Sequence, residues 1–208
     1  MNGRARFAAL LFPLVVLTSA GRGADSPAAA ARTAKATFAG GCFWCMQPAF
    51  DGLPGVLSTT VGYTGGTTKD PSYQEVGSGT TGHAESIEVE YDPDKVSYEA
   101  LLDVFWHDVD PTDSGGQFCD RGTQYRSAIF YRDDEQKRLA EKSKREVVKD
   151  LRVPGPIVTE IAPASAFYRA EEYHQSYYRK NPIRYRFYRH GCGRDGRVAE
   201  VWGRAPAH

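Results

Sequence analysis

The chain of 208 residues carries 26 Lys and Arg against 26 Asp and Glu, four Cys, 41% apolar residues and 12% aromatics. That length fits one domain or two small ones, and the balanced charge excludes a strongly basic nucleic-acid binder or an acidic tail protein. Four Cys over this length are too sparse for a disulfide-scaffolded miniprotein, but their spacing is informative: Cys42 and Cys45 lie together, whereas Cys119 and Cys192 stand alone.

Residues 1–20 (MNGRARFAALLFPLVVLTSA) set Arg4 and Arg6 ahead of an apolar run from Phe7 to Leu17, then small residues from Thr18 to Ala20. This is the layout of a secretory signal peptide. The apolar run is shorter than the ~20 residues a membrane-spanning helix needs; an uncleaved N-terminal anchor is the alternative. Cleavage after Ala20 leaves 24 basic against 26 acidic residues, a net charge of −2. The expectation is an exported protein, in the periplasm of a bacterium, membrane-anchored if the signal is retained. Residues 21–34 are small, polar and aperiodic and read as a flexible tether. One domain then covers 35–208.

Lys35 to Ala39 reads as a short strand entering the turn signal Gly40-Gly41. Phe43, Met46, Ala49 and Phe50 follow at helical spacing, with Pro48 tolerable in the first turns and Gly52 as terminator. Val56 to Gly62 is a β-branched strand, residues 64–82 a long loop of Gly, Thr and Ser, and Ser86 to Tyr91 an alternating, half-exposed strand. Ser97 caps a helix with an apolar stripe at Leu101, Leu102, Phe105 and Val109. A second loop, Asp110 to Gln124, precedes a strand from Tyr125 to Tyr131; Asp133 and Gln136 then open a charged helix to about Asp150. A strand at Ile157 to Ile161, a helix around Glu171 to Arg179 and an irregular tail complete the chain. This order predicts an α+β two-layer sandwich with helices over a mixed or antiparallel sheet.

Cys42 follows a strand and two glycines at the predicted start of a helix, where free N–H groups and the helix dipole favour a thiolate, the nucleophilic form. A structural half-cystine is the alternative. With Cys45 it makes C-F-W-C. Met46 excludes the haem-attachment pattern, and the lack of a second close pair argues against zinc, so no metal is expected. A thiol redox function remains. Glu85, where the long loop meets a strand, would become a general acid if apolar surroundings raised its pKa; the alternative is a surface residue like Glu88 and Glu90. His83 beside it reads as a turn residue. Tyr73, Tyr125 and Asp120 sit in loops or at strand entrances, and a tyrosine hydroxyl can hold a polar substrate oxygen without carrying charge. Residues 167–189 hold six of the twelve tyrosines and six basic residues. They read as a helix and tail laid over the domain, with arginine stems covering apolar surface, rather than as a nucleic-acid site.

Together G-C-F-W-C (41–45), P-S-Y-Q-E-V (71–76), T-G-H-A-E (81–85), D-R-G-T-Q-Y-R-S (120–127), E-E-Y-H-Q (171–175) and G-C-G-R-D (191–195) resemble the A-type peptide methionine sulfoxide reductases, in the family's order. The resemblance implies a ferredoxin-like core with a long coil-rich C-terminal tail. Cys42 would attack the sulfur of methionine sulfoxide, Glu85 would protonate the departing oxygen, and Tyr73 and Tyr125 would hydrogen-bond that oxygen, with Asp120 supporting the site. Phe43 and Trp44 would pack around the S-methyl group. The resulting sulfenic acid condenses with a second thiol. Cys192 on its Gly-flanked tail and Cys45 in the same helical turn are both candidate resolvers, and Cys119 has no assigned role. The substrate would be the S epimer of methionine sulfoxide in proteins, peptides or the free amino acid, and the reductant a thioredoxin-like dithiol. The resemblance implies no cofactor, no nucleic-acid partner and a monomer. Two other classes are compatible with the cysteines: a general thiol–disulfide oxidoreductase using Cys42 and Cys45, and a binding module with two structural disulfides.

Overall fold

Phe38, at the middle of the first strand, stacks on Phe50 and Phe105 with ring centroids 5.4 and 5.2 Å away, and the helical layer is assembled over that contact. The computed structural model of the chain describes Met1 and residues 32–203. The expected signal peptide (apart from Met1) and the tether up to residue 31 lie outside the described residues. Among the described residues no helix is long and apolar enough to cross a membrane.

The elements in chain order are β1 (Ala34–Gly40), α1 (Phe43–Asp51), β2 (Val56–Thr64), α2 (Tyr73–Gly77), β3 (Ala84–Tyr91), α3 (Tyr98–Trp106), β4 (Gly116–Gln117), β5 (Asp120–Arg121), β6 (Ser127–Tyr131), α4 (Asp134–Val147), β7 (Glu160–Pro163), β8 (Tyr168–Arg169), α5 (Tyr177–Lys180), α6 (Pro182–Gly191) and α7 (Arg194–Trp202). Six strands form one mixed sheet in the order β7-β6-β1-β3-β2-β8, and β4 and β5 make a small hairpin in the loop before β6. All pairings in the large sheet are antiparallel except β6 with β7. Phe38 stands opposite Ile87 on β3 and Ile129 on β6.

Because side chains alternate across a strand, Ala36, Phe38, Ile87, Val89, Tyr91 and Ile129 share one face. Met46 and Phe50 of α1, Leu101, Leu102 and Phe105 of α3, Leu139 and Ala140 of α4, and Val198 and Val201 of α7 cover them as one core. On the opposite face Glu88 pairs with Lys35 at 2.6 Å and with Arg132. The expected caps are present: Ser97 Oγ accepts from the Ala100 N–H at 3.2 Å, and Asp133 Oδ1 from the Gln136 N–H at 2.7 Å.

Three expectations are corrected. The loop 64–82 contains α2, started by a capping box between Ser72 and Glu75 that satisfies its first N–H groups. The strand expected at Ile157–Ile161 runs over Glu160–Pro163 instead, because the Val158 N–H is taken by the Pro111 carbonyl at 2.8 Å, outside the ladder. The C-terminal segment is coil-rich only between Leu151 and Ser176. Residues 172–174 form a single 3-10 turn instead of part of a helix over 171–179, and two helices replace the expected irregular tail. Pro182 is pre-organised for the first turn of α6, and Gly193, at φ 71°, makes the left-handed elbow into α7.

Candidate active site

The site is assembled where β1 ends and α1 begins. Gly41 has φ 79°, and a Cβ there would come within 2.6 Å of Gln117 Cβ, so the turn requires glycine. Cys42 occupies the N-cap of α1, and its carbonyl accepts from the N–H groups of Cys45 and Met46 at 3.0 and 3.3 Å. Cys42 and Cys45 are free thiols, 6% and 1% exposed. The alternative of two structural disulfides is therefore overturned.

Glu85 is the third member. It stands opposite Tyr63 in the β2–β3 pairing, on the helix-covered face shared with Ile87, and its side chain accepts from the backbone N–H of Phe43 at 3.1 Å. It is 2% exposed, so it is not the surface residue weighed against the acid role. Burial raises its pKa from 4.5 to about 8, against the opposing pull of the Phe43 N–H. The carboxyl is therefore largely protonated at neutral pH.

The thiols divide differently from the expectation. Burial pushes the Cys42 thiol well above its ordinary value, and neighbouring Cys45 and Glu85 push the same way, outweighing the helix N-terminus. Cys45 is lowered, first because Cys42 donates a hydrogen bond to it and then, against burial, because Arg194 and Arg189 supply positive charge. Arg189 Nη1 donates to the Cys45 carbonyl at 3.2 Å, and Arg194 Nη1 to the Gly40 carbonyl at 3.1 Å. Arg194, 1% exposed, is paired to Asp108 at 2.8 Å. Sequence reasoning missed both arginines.

Tyr73, at the start of α2, and Tyr125, in the 3-10 turn before β6, lie close enough to Glu85 and Cys42 that charge on either raises both phenol pKa values, after the larger effect of burial. Both hydroxyls therefore remain hydrogen-bond donors. The Tyr73 N–H donates to Glu171 Oε1 and the Tyr63 hydroxyl to Glu171 Oε2, each at 2.9 Å. Gln175 of the same segment pairs with Val61 through both its amide atoms, at 3.0 and 2.9 Å. His83 ties the loop, as expected of a turn residue: its Nδ1 accepts from Gly66 at 3.1 Å and its Nε2 donates to the Thr68 carbonyl at 2.7 Å.

Phe43 is buried in a small second core with Val61, Tyr63, Val76 and Ala170. Trp44 is only half-buried. It stacks on Tyr177 with centroids 3.8 Å apart, and its indole N–H donates to His174 Nδ1 at 3.0 Å. Burial lowers the His174 pKa to about 4, so the imidazole is neutral and Nδ1 can accept.

Tyr188 of α6 is a site residue that the tyrosine-rich stretch concealed. Its hydroxyl donates to Asp120 Oδ2 and lies near enough to Cys42 to pull against the rise in the thiol's pKa, and its ring meets Trp44 edge-on at 5.8 Å. Burial raises the Asp120 pKa, with the Tyr188 bond opposing. Asp120 Oδ2 lies 3.8 Å from the Cys192 sulfur, and Cys192 is joined to Cys119 in a disulfide. In this state Cys192 has no thiol with which to resolve Cys42, and Cys119 is not a bystander.

The family model described as peptide methionine sulfoxide reductase matches residues 34–205. The peptide methionine sulfoxide reductase MsrA of Bacillus licheniformis is 54% identical over 169 residues, which is 81% of this chain and 93% of that protein. Among solved structures, Mxr1 from Saccharomyces cerevisiae in reduced form superposes with a TM-score of 0.68 at 36% identity, over 74% of this chain and 88% of that one. Mxr1 in complex with Trx2 superposes with a TM-score of 0.50 at 25% identity, over 74% of this chain and 91% of that one.

Proposed function

The chain belongs to the peptide methionine sulfoxide reductase family, and from that premise we propose how its residues divide the reaction. It is an oxidoreductase that returns methionine sulfoxide to methionine at the expense of thiols, with a thioredoxin-type partner as reductant. The observation that carries the residue assignment is the buried, protonated Glu85 bonded to the residue next to Cys42.

A sulfoxide oxygen leaves poorly unless protonated. The Cys42 sulfur attacks the substrate sulfur while Glu85 gives its proton to the oxygen; Tyr73 and Tyr125 hydrogen-bond that oxygen. The substrate's S–O bond and the new sulfur–sulfur bond break as the protonated oxygen passes to the Cys42 sulfur, so methionine departs and Cys42 is left as a sulfenic acid. Glu85, left as a carboxylate by that transfer, takes up the proton that Cys42 gives away, so the acid is restored and the step is neutral overall. The Cys45 sulfur, favoured as thiolate by Arg194 and Arg189, attacks the sulfenic sulfur and expels water, leaving a Cys42–Cys45 disulfide. Cys45 thus takes the resolving role while Cys192 is held by Cys119. Trp44, fixed by His174 and Tyr177, and Phe43 beneath it form the apolar slot for the S-methyl group. Asp120 and Tyr188 steady the same side of Cys42. No cofactor is required by these steps.

The reading extends to the S epimer, in proteins and as the free amino acid, since one enzyme class serves each epimer. It also includes a monomer, a ferredoxin-like unit made of β1, α1, β2, β3, α3 and β6, and export to the periplasm directed by residues 1–20. The test is turnover of each epimer of a methionine sulfoxide peptide by the purified protein with dithiothreitol. Conversion of the S epimer, and its loss in Cys42→Ser, are expected; unchanged turnover in that variant would sink the assignment.

A further inference from the structure

Cys119 and Cys192 stand alone in the sequence, which spoke against a zinc site, but the fold brings their Cα atoms to 4.8 Å across 73 positions. Asp120 completes a cluster in which both sulfurs and a carboxylate oxygen lie within 4.8 Å of one another. Cys119 is in the turn of the β4–β5 hairpin, Asp120 opens β5 and Cys192 ends α6. A tetrahedral ion with sulfur at about 2.3 Å and carboxylate oxygen at about 2.1 Å sets a sulfur and an oxygen about 3.6 Å apart, and two sulfurs about 3.8 Å apart. The Cys192 sulfur and Asp120 Oδ2 already stand 3.8 Å apart. Once the disulfide is opened the sulfurs must separate, and Cys192 has room to move. Around Gly191 and Gly193, which flank it, nothing beyond their own chain neighbours and helix backbone lies within 4 Å of where a Cβ would sit.

The outer contacts of such a site are in place. The Tyr188 hydroxyl donates to Asp120 Oδ2, and the Cys119 N–H donates to the Cys192 sulfur at 3.2 Å. Outer bonds of this kind orient metal ligands, and the one to sulfur strengthens when that sulfur is a thiolate. Two thiolates and a carboxylate carry three negative charges, so a divalent cation leaves one. That charge faces Arg194, which already acts on Asp120 and packs 4.6 Å over the ring of Phe118, next to Cys119.

We propose that Cys119, Cys192 and Asp120 bind a thiophilic divalent cation of the zinc class when the Cys119–Cys192 bond is open, with water completing the tetrahedron. Two sulfurs select a soft ion over magnesium or calcium, which take oxygen ligands. A dithiol reductant supplies the two electrons that open the bond and leaves as a disulfide, giving two thiols. The cation then displaces both thiol protons to solvent and keeps its own charge. Exposed Cys119 gives the ion its entry from solvent. Disulfide and metal site are thus alternative states of the same residues: while the ion is held, its bonds occupy both sulfurs and block their return to the disulfide. The site is independent of the chemistry assigned to Cys42 and Cys45.

The experiment reduces the full chain with a phosphine, removes the excess under anaerobic conditions and titrates in Co²⁺. Sulfur ligation is read from charge-transfer absorption in the near ultraviolet, and a tetrahedral site from strong d–d bands in the red. Reduced wild type is expected to take one equivalent with both signatures, and protein with the disulfide intact to take none. Cys119→Ser is expected to lose the charge-transfer bands and Cys45→Ser to keep them. Tyr188→Phe, which strips the outer bond from Asp120, is expected to weaken binding about 10- to 100-fold. No sulfur-ligated Co²⁺ on reduced wild type would overturn the site, as would bands that vanish in Cys45→Ser and persist in Cys119→Ser. Unchanged affinity in Tyr188→Phe would remove Asp120 from the ligands and overturn the three-residue site. Alkylation mapping of reduced wild type with and without Zn²⁺ decides the matter even if a variant does not fold: protection of Cys119 and Cys192 is expected, and equal labelling of both would sink the proposal.

Discussion

The first N–H of α1, on Phe43, is bonded to Glu85 Oε2 at 3.1 Å, so the helix that carries the nucleophile at its N-cap also anchors the acid. In the unfolded chain this carboxyl ionises near its ordinary value of 4.5, and in the fold near about 8. Between those values unfolding releases a proton, so this group's contribution to stability declines as pH rises from about 4.5 and levels off above about 8. Glu85→Gln removes that penalty. It is expected to raise the unfolding free energy at pH 7 by on the order of 1–3 kcal/mol, with no gain at pH 4. The same variant is expected to lose roughly 10²- to 10⁴-fold in kcat, and wild-type kcat to fall as pH passes about 8. Denaturant titrations and pH–rate profiles measure both.

Cys45→Ser separates reduction from resolution. With the Cys119–Cys192 disulfide intact and no reductant present, this variant is expected to release one methionine and stop with a sulfenic acid on Cys42. A 1,3-dione probe followed by mass measurement detects that adduct, whereas wild type yields an unlabelled Cys42–Cys45 disulfide. Absence of the adduct after product release would transfer the resolving role to another thiol.

His174 holds Trp44 by accepting its indole proton. His174→Phe keeps a ring there and removes the acceptor, stranding a partly buried donor at a cost of about 1–3 kcal/mol. KM for a sulfoxide peptide is expected to rise roughly tenfold, the equivalent of about 1.4 kcal/mol, with a smaller change in kcat. A KM unchanged within error would show that Trp44 keeps its position without this bond. Because burial lowers the His174 pKa to about 4, the wild-type contact should persist to that pH and weaken below it.

Arg194→Met leaves Asp108, 2% exposed, without its 2.8 Å partner. Breaking a buried pair from one side costs about 3–5 kcal/mol, and replacing both partners costs less. Chemical denaturation of Arg194→Met should show a loss of that size, and Asp108→Asn added to it should restore part. A double variant less stable than the single one would contradict the pairing argument.

The central strands were legible because alternation and β-branching mark them, and α3 and α4 because Ser97 and Asp133 announce them. Cys42 and Glu85 were legible as motif residues, although only the fold explains why one is raised by burial and the other protonated. Helix α2 was concealed in a loop rich in Gly, Thr and Ser, despite a capping box spelled by Ser72 and Glu75. Helices α6 and α7 escaped because their pattern is inverted: Ile183 and Phe187 face outward at 72% and 77% exposure, while Arg189 and Arg194 are buried. Periodicity arguments assume the opposite sorting. Tyr188 had no signal to separate it from five neighbouring tyrosines, and the pairing of Cys119 with Cys192 depends on an approach across 73 positions that local spacing does not encode.

The burial of the inner thiols also bears on the survival of the protein itself. Peroxide and related oxidants attack accessible thiolates and carry them to irreversible sulfinic and sulfonic acids. Cys42 rests as a neutral thiol behind Tyr188 and Trp44, and Cys45 is sealed beneath it at 1% exposure. A small oxidant in solution therefore meets little exposed thiolate at either sulfur. The same burial that serves the reaction also lowers the rate at which the enzyme's own nucleophile is over-oxidised.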